Sequence, residues 1–235
     1  MPDLSGRVVA IAGAGGGLGP TVAARLADSG ASLALTDVDQ DRLDGLAGAL
    51  GLPEERLDAR VVDLLSEDAA HEWEEAVVER FGRVDALLHL VGGWRGGEPL
   101  ATAPLADYEW LHDLLVRTLQ HASRAFHDAI AHDGGRFVLV SSTQAQAPSA
   151  TNAAYAAAKA AAESWTLALA DSLADSGATA NIVVVNAILT SQMREESPDK
   201  PFRTFTSTED IAAAIAYLLS DAAAKMNGAR LELHP

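Results

Sequence analysis

The stretch Val8-Val9-Ala10-Ile11-Ala12-Gly13-Ala14-Gly15-Gly16-Gly17-Leu18-Gly19 decides how the rest of the chain is read. A short, apolar, β-branched run has the length and composition of a buried strand, and it ends on a dense glycine cluster. Glycine permits a tight turn and lets a ligand approach the backbone closely. A helix expected to start near Leu18 adds free N–H groups and partial positive charge. A glycine cluster alone suits an ordinary turn equally well. Its place between a strand and a helix favours a loop that cradles phosphate groups.

Working outward, short aliphatic runs alternate with stretches of helical periodicity, the pattern of repeated βαβ units. Strands are expected at 7–12, 31–36, 60–63, 86–91, 136–141, 179–185 and 230–233, and helices at 18–29, 41–50, 67–81, 107–132, 152–176 and 208–219. The strands are almost continuously hydrophobic, so helices should cover both faces of the sheet. The expected fold class is α/β, a doubly wound parallel sheet of about seven strands in a single domain spanning 1–235. In such sheets the ligand crevice lies outside the carboxyl ends of the strands. The two long loops that follow strands, 92–106 and 187–207, are therefore candidate substrate walls.

The chain has 235 residues, a formal net charge of −16 and no cysteine. That length is ample for one buried core. The acidic balance disfavours nucleic acid and anionic membrane surfaces as partners. Without cysteine there are no disulfides and no thiolate chemistry. No export signal is read at the start, and apolar runs are interrupted well before the roughly 18 to 20 residues of a membrane helix. A soluble, cytoplasmic protein is expected.

Asp37 ends the second strand, where an acid can accept hydrogen bonds from adenosine ribose hydroxyls and repel a 2′-phosphate. Val38 offers no guanidinium to hold such a phosphate, so NAD is favoured over NADP. The other reading of Asp37 is a solvated turn, shared with Asp39 and Asp41, that caps the next helix.

Tyr155-Ala156-Ala157-Ala158-Lys159 places a phenol and an ammonium four residues apart on one helix face. A nearby cation favours phenolate and should lower the Tyr155 pKa, making the hydroxyl a general acid or base nearer neutral pH. Ser142, at the end of the 136–141 strand, can donate to a substrate carbonyl. The plainer alternative is an alanine-rich packing helix with an incidental Tyr and a snorkelling Lys.

Together with the glycine loop, these residues resemble the classical short-chain dehydrogenase/reductase family over the whole chain. The matches, in order and spacing, are Gly13, Gly17, Gly19, Asp37, Asp63, Ser142, Tyr155 and Lys159. The resemblance implies a Rossmann-type domain that transfers hydride between a nicotinamide and a carbonyl or alcohol carbon. It makes Tyr155 the acid/base, with Lys159 lowering its pKa and binding the nicotinamide ribose. Ser142 polarises the carbonyl and Asp63 contacts adenine. Cofactor contacts extend to Gly15, Gly16, Leu18, Val38, Leu64, Val91, Gly92 and Thr190. The resemblance also implies a homodimer or homotetramer built on two long helices. Leu90-Val91-Gly92-Gly93-Trp94 is similar to a branch that includes relatives of dihydropteridine reductase.

Three positions depart from the family pattern. His89-Leu90-Val91-Gly92 replaces an Asn-Asn-Ala-Gly, so cofactor contact there rests on backbone. Counting from Trp110 puts Arg117 where the family carries a catalytic asparagine. Its permanent charge can depress the Tyr155 pKa, or the side chain can point outward into a subunit contact. After the sixth strand, Asn186 to Met193 lacks a Pro-Gly turn and is short, which would leave the nicotinamide loosely held.

The seven histidines show no metal-ligand spacing beside carboxylates, so no metal is expected. Trp94 and Arg95 either line the substrate pocket or pack within their loop, and Gln144, Gln146 and Gln192 can add polar contacts. Glu72, Glu74, Glu75 and Glu79 read as a solvated helix face. The reading is an NAD-dependent oxidoreductase. Its rivals are a dinucleotide-binding scaffold without redox activity and an NAD-dependent epimerase or dehydratase.

Overall fold

Strand β1 (Val8–Ala12) is flanked on both sides by parallel partners, because its five residues are apolar on both faces. In the computed structural model, which describes residues 2–132 and 134–234, seven strands form one parallel sheet. The others are β2 (Ser32–Asp37), β3 (Leu57–Val61), β4 (Ala86–His89), β5 (Arg136–Ser142), β6 (Thr179–Val185) and β9 (Arg230–Glu232). The order is β3-β2-β1-β4-β5-β6-β9. The chain winds one way from β1 to β3 and the other way from β4 onward. The crevice therefore opens where β1 and β4 end.

Two cores fill the faces. On one side α1 (Gly19–Asp28), α2 (Gln40–Leu50) and α9 (Thr208–Leu219) cover Val9, Ile11, Leu33 and Leu88. On the other side α3 (Glu67–Phe81), α5 (Thr118–Ala125) and α7 (Ala153–Ser172) cover Val8, Ala10, Leu87 and Leu139. Trp73 and Phe126 meet edge to face at 4.7 Å in that second core. Burial of both faces explains the uninterrupted apolar strands. Among the described residues no helix is long and apolar enough to cross a membrane.

The structure corrects four expected boundaries. The helix expected at 107–132 is α4 (Leu105–His112), a π turn at Asp113–Arg117, α5 and α6 (His127–His132). No Gly or Pro marks these breaks, so periodicity read straight through them. β3 lies three residues earlier than expected at its start, since this edge strand is only partly buried and its apolar signal is weak. The helix expected to run to 176 ends at Ser172 in a 3-10 turn. The supposed loop 187–207 contains β7 (Ala187–Leu189), α8 (Ser191–Glu196) and β8 (Phe205–Ser207), with β7 and β8 paired in parallel.

Candidate active site

The glycine loop leaves β1 under tight steric limits. Gly13 has φ of +78°, and a Cβ there would lie 2.7 Å from Val91 N; a Cβ on Gly19 would lie 2.0 Å from Ala14 O. Gly15 N donates to Asp37 Oδ2 at 3.0 Å, while Gly16 N and Gly19 N close turns onto Gly13 O and Gly16 O. Leu18 precedes α1 without a capping side chain, and no acid occupies the first turn. The positive end of α1 is thus left open to an anion. Leu18 itself is core. Thr190 closes over the loop, with its Cγ2 3.2 Å from where a Cβ on Gly17 would sit.

Asp37 binds the loop rather than a helix. Besides Gly15, its Oδ1 accepts from Val38 N at 2.9 Å and Asp39 N at 3.2 Å. Asp39 is the residue that caps α2, accepting from Arg42 N. The capping alternative therefore belongs to Asp39 alone. Asp63 is exposed and accepts from Leu65 N at 2.9 Å. Leu64 packs into the second core, so only its backbone remains for a ligand.

Ser142, Tyr155 and Lys159 meet at the carboxyl end of β5. Ser142 is buried at the end of that strand, and its hydroxyl accepts from Gln144 N while hydrogen-bonding the Tyr155 phenol. Lys159 Nζ lies 6.0 Å from the Tyr155 ring centroid and donates to Val140 O at 2.9 Å. Burial lowers the Lys159 pKa to about 8, opposed by the carboxylate of Glu163 one turn on. The structure corrects the expected direction for the phenol. Burial pushes the Tyr155 pKa above its ordinary value, and the Ser142 hydrogen bond draws it back down.

Arg117 points outward, half exposed, with Nε 3.0 Å from Asp113 Oδ1. Of its two expected roles, an effect on Tyr155 is not seen: the phenol responds to burial and Ser142. The segment after β6 is tied down rather than loose. Asn186 Nδ2 donates to Thr204 O, Thr143 donates to Asn186 Oδ1, and Thr190 caps α8 by accepting from Met193 N. The glutamines are committed to the protein: Gln144 accepts from Ser149 N, Gln146 donates to Glu163, and Gln192 donates to Glu196. Trp94 is exposed and donates to Asn152 Oδ1, one turn before Tyr155, while Arg95 stacks on Trp110 at 4.1 Å. Sequence reasoning missed two buried polar clusters here. One is His89 with Thr118, and the other is Glu163, which accepts from Ser141, Gln146 and Arg230. A histidine closing an apolar strand and a glutamate on an alanine-rich face were the signals for them.

The comparisons fit this geometry. A family model described as Enoyl-(Acyl carrier protein) reductase matches residues 13–233. A solved short-chain dehydrogenase/reductase from Brucella melitensis, described as a glucose/ribitol dehydrogenase, is 30% identical with a TM-score of 0.86, covering 99% of this chain and 97% of that one. This chain belongs to the short-chain dehydrogenase/reductase family. Among other short-chain dehydrogenase/reductase relatives, 7alpha-hydroxysteroid dehydrogenase of Escherichia coli (strain K12) is 28% identical over 96% of this chain and 91% of its own length. A blue fluorescent protein from a metagenomic library, solved in complex with NADPH, is 28% identical with a TM-score of 0.85, covering 98% of this chain and 97% of that one.

Proposed function

We propose that the protein interconverts an alcohol and a carbonyl of a small molecule with NAD(H), Tyr155 acting as general acid and base. The observation that carries this reading is the meeting of Ser142, Tyr155 and Lys159 at one strand end, beside a glycine loop that opens onto an uncapped helix start. The tight backbone packing that only glycine allows at Gly13 and Gly19, and the absence of acids in the first turn of α1, suit a loop that cradles a pyrophosphate. Gly15, Gly16, Gly17 and Leu18 would line it. Asp37 and Val38 would meet the adenosine ribose, Asp63 and Leu64 the adenine, and Val91, Gly92, Thr190, Tyr155 and Lys159 the nicotinamide riboside. When bound, the nicotinamide supplies or accepts the hydride.

The chain's own residues handle the oxygen. Ser142 donates a hydrogen bond to the substrate carbonyl, which becomes more electrophilic. The Tyr155 hydroxyl gives its proton to that oxygen as negative charge develops, and takes it back in the oxidative direction. The Lys159 ammonium steadies the phenolate left behind. Relatives named for a hydroxysteroid and for glucose/ribitol differ widely in size, so the substrate is proposed only as an alcohol or carbonyl. The same reading includes self-association through α5 and α7, at a groove of about 590 Å³ lined by Arg124, His127, Trp165 and Ser172.

The experiment is turnover of an alcohol and ketone panel followed by nicotinamide absorbance, with NADH binding measured separately. Tyr155→Phe should keep NADH binding within about threefold and lose at least about 100-fold in kcat, in line with the usual share of acid/base catalysis. An unchanged rate removes Tyr155 from the mechanism. NADH binding without any absorbance change across the panel would favour the scaffold reading.

A further inference from the structure

His89 is a buried titratable group for which the mechanism above has no use. It ends β4 with 1% of its surface exposed. Strand alternation puts its ring on the face of Leu87, the face covered by α5 and α7. Burial keeps the imidazole neutral, lowering its pKa to about 3, and the charge of Lys159 acts the same way.

The neighbours fix the tautomer. Thr118 spends its hydroxyl proton on Leu114 O at 2.6 Å, so its Oγ1 meets His89 Nε2, 3.2 Å away, as an acceptor. Nε2 therefore carries the ring proton, and Nδ1 is a bare lone pair. Among the described residues no donor reaches it. A buried acceptor left without a donor is rare and calls for an explanation.

A donor with protons to spare lies in the same layer. Lys159 Nζ has three protons, and among the described residues one acceptor is recorded for it, Val140 O. Nδ1 is the ring nitrogen nearer the main chain, so it sits close to the sheet. His89 is in register with Leu139, and Val140 is the next residue on β5. The ammonium and the lone pair thus converge on the ends of adjacent strands. Besides His89, the charged and titratable groups recorded beside the ammonium among the described residues are Tyr155 and Glu163 on its own helix. Arg230 on β9 is already paired with that glutamate. None of them supplies a proton to Nδ1.

We propose that His89 is a positioning residue: its Nδ1 accepts a hydrogen bond relayed through one water from the Lys159 ammonium, and holds that ammonium charged and oriented behind Tyr155. This deepens the reading of Lys159 given above and rests on it, but the test needs no turnover. The chain contains three lysines, Lys159, Lys200 and Lys225, so a lysine-selective 13C NMR titration is simple, with Lys159→Met to assign the signal. In His89→Leu the Lys159 midpoint should fall by about one pH unit, a tenfold loss in proton affinity. His89→Asn sets an amide oxygen near the position of Nδ1 and should return most of that shift. His89→Gln reaches toward Thr118 instead and should behave like Leu.

An unchanged midpoint in His89→Leu overturns the proposal, as does a midpoint in the Asn variant no nearer the wild type than that of Gln. If circular dichroism shows that the Leu variant does not fold, the Asn and Gln pair decides by the same criterion. A wild-type protein that titrates as expected yet turns over no carbonyl would count against hydride transfer alone.

Discussion

Asp37 commits both carboxylate oxygens to main-chain N–H groups, one of them in the glycine loop. This fixes the side chain beside the bend where an adenosine ribose would lie. A ribose hydroxyl can donate to that carboxylate, whereas a 2′-phosphate meets like charge at close range. Arg42, whose side chain lies beside Gly15, is already paired with Asp39 at 3.2 Å. At equal concentration NAD should therefore raise Tm more than NADP, and at about 100 times its Kd it should add about 2.7 kcal/mol. Greater stabilisation by NADP in a thermal-shift assay would reverse the reading of Asp37. Asp37, Ser142, Tyr155 and Lys159 were legible in the sequence because each has its partners within one βα unit or one helical turn. His89 was not, since Thr118 reaches it only after the sheet has brought β4 and α5 together.

Elements were legible wherever burial wrote a strong pattern. The central strands β1, β4, β5 and β6 are enclosed on both faces, and their apolar runs showed it. The edge strand β3 and the π turn inside the helical region 105–132 lack such a signature, and there the expected boundaries moved. The entry to α1 offers a test of steric necessity against mere helix propensity. A Cβ at Gly19 would overlap the Ala14 carbonyl, so Gly19→Ala has to push the glycine loop away from the helix start. We expect it to lower stability by about 1–3 kcal/mol, as overpacking does, and to weaken NADH binding at least tenfold. Gly45, within α2, has nothing within 4 Å of where a Cβ would sit and is the control. Gly45→Ala should stabilise by about 0.5–1 kcal/mol. Equal effects at the two sites, by urea unfolding, would mean the loop yields freely.

Across the whole molecule, acid acts in two opposite directions. With 33 acidic and 17 basic side chains, lowering the pH first shrinks the net charge of −16 and relieves self-repulsion. Buried neutral His89 pulls the other way. Its pKa is near 6.5 when unfolded and about 3 when folded, so between those values the unfolded chain binds a proton that the folded chain refuses. The stability tied to this refusal is fully present above pH 6.5 and is lost as pH falls toward 3. Its slope is about 1.4 kcal/mol per pH unit for one proton. Comparing wild type with His89→Leu cancels the shared charge term. The two should differ at pH 7 by an offset set by packing and the lost Thr118 contact, and only the slope is diagnostic. Between pH 6 and 4 the wild type should lose ground to the variant by about 1.4 kcal/mol for each unit. A pH-independent difference in urea unfolding free energy would show that the folded protein admits a proton at His89 as readily as the unfolded chain does. That result would also remove the fixed lone pair on which the link to Lys159 depends.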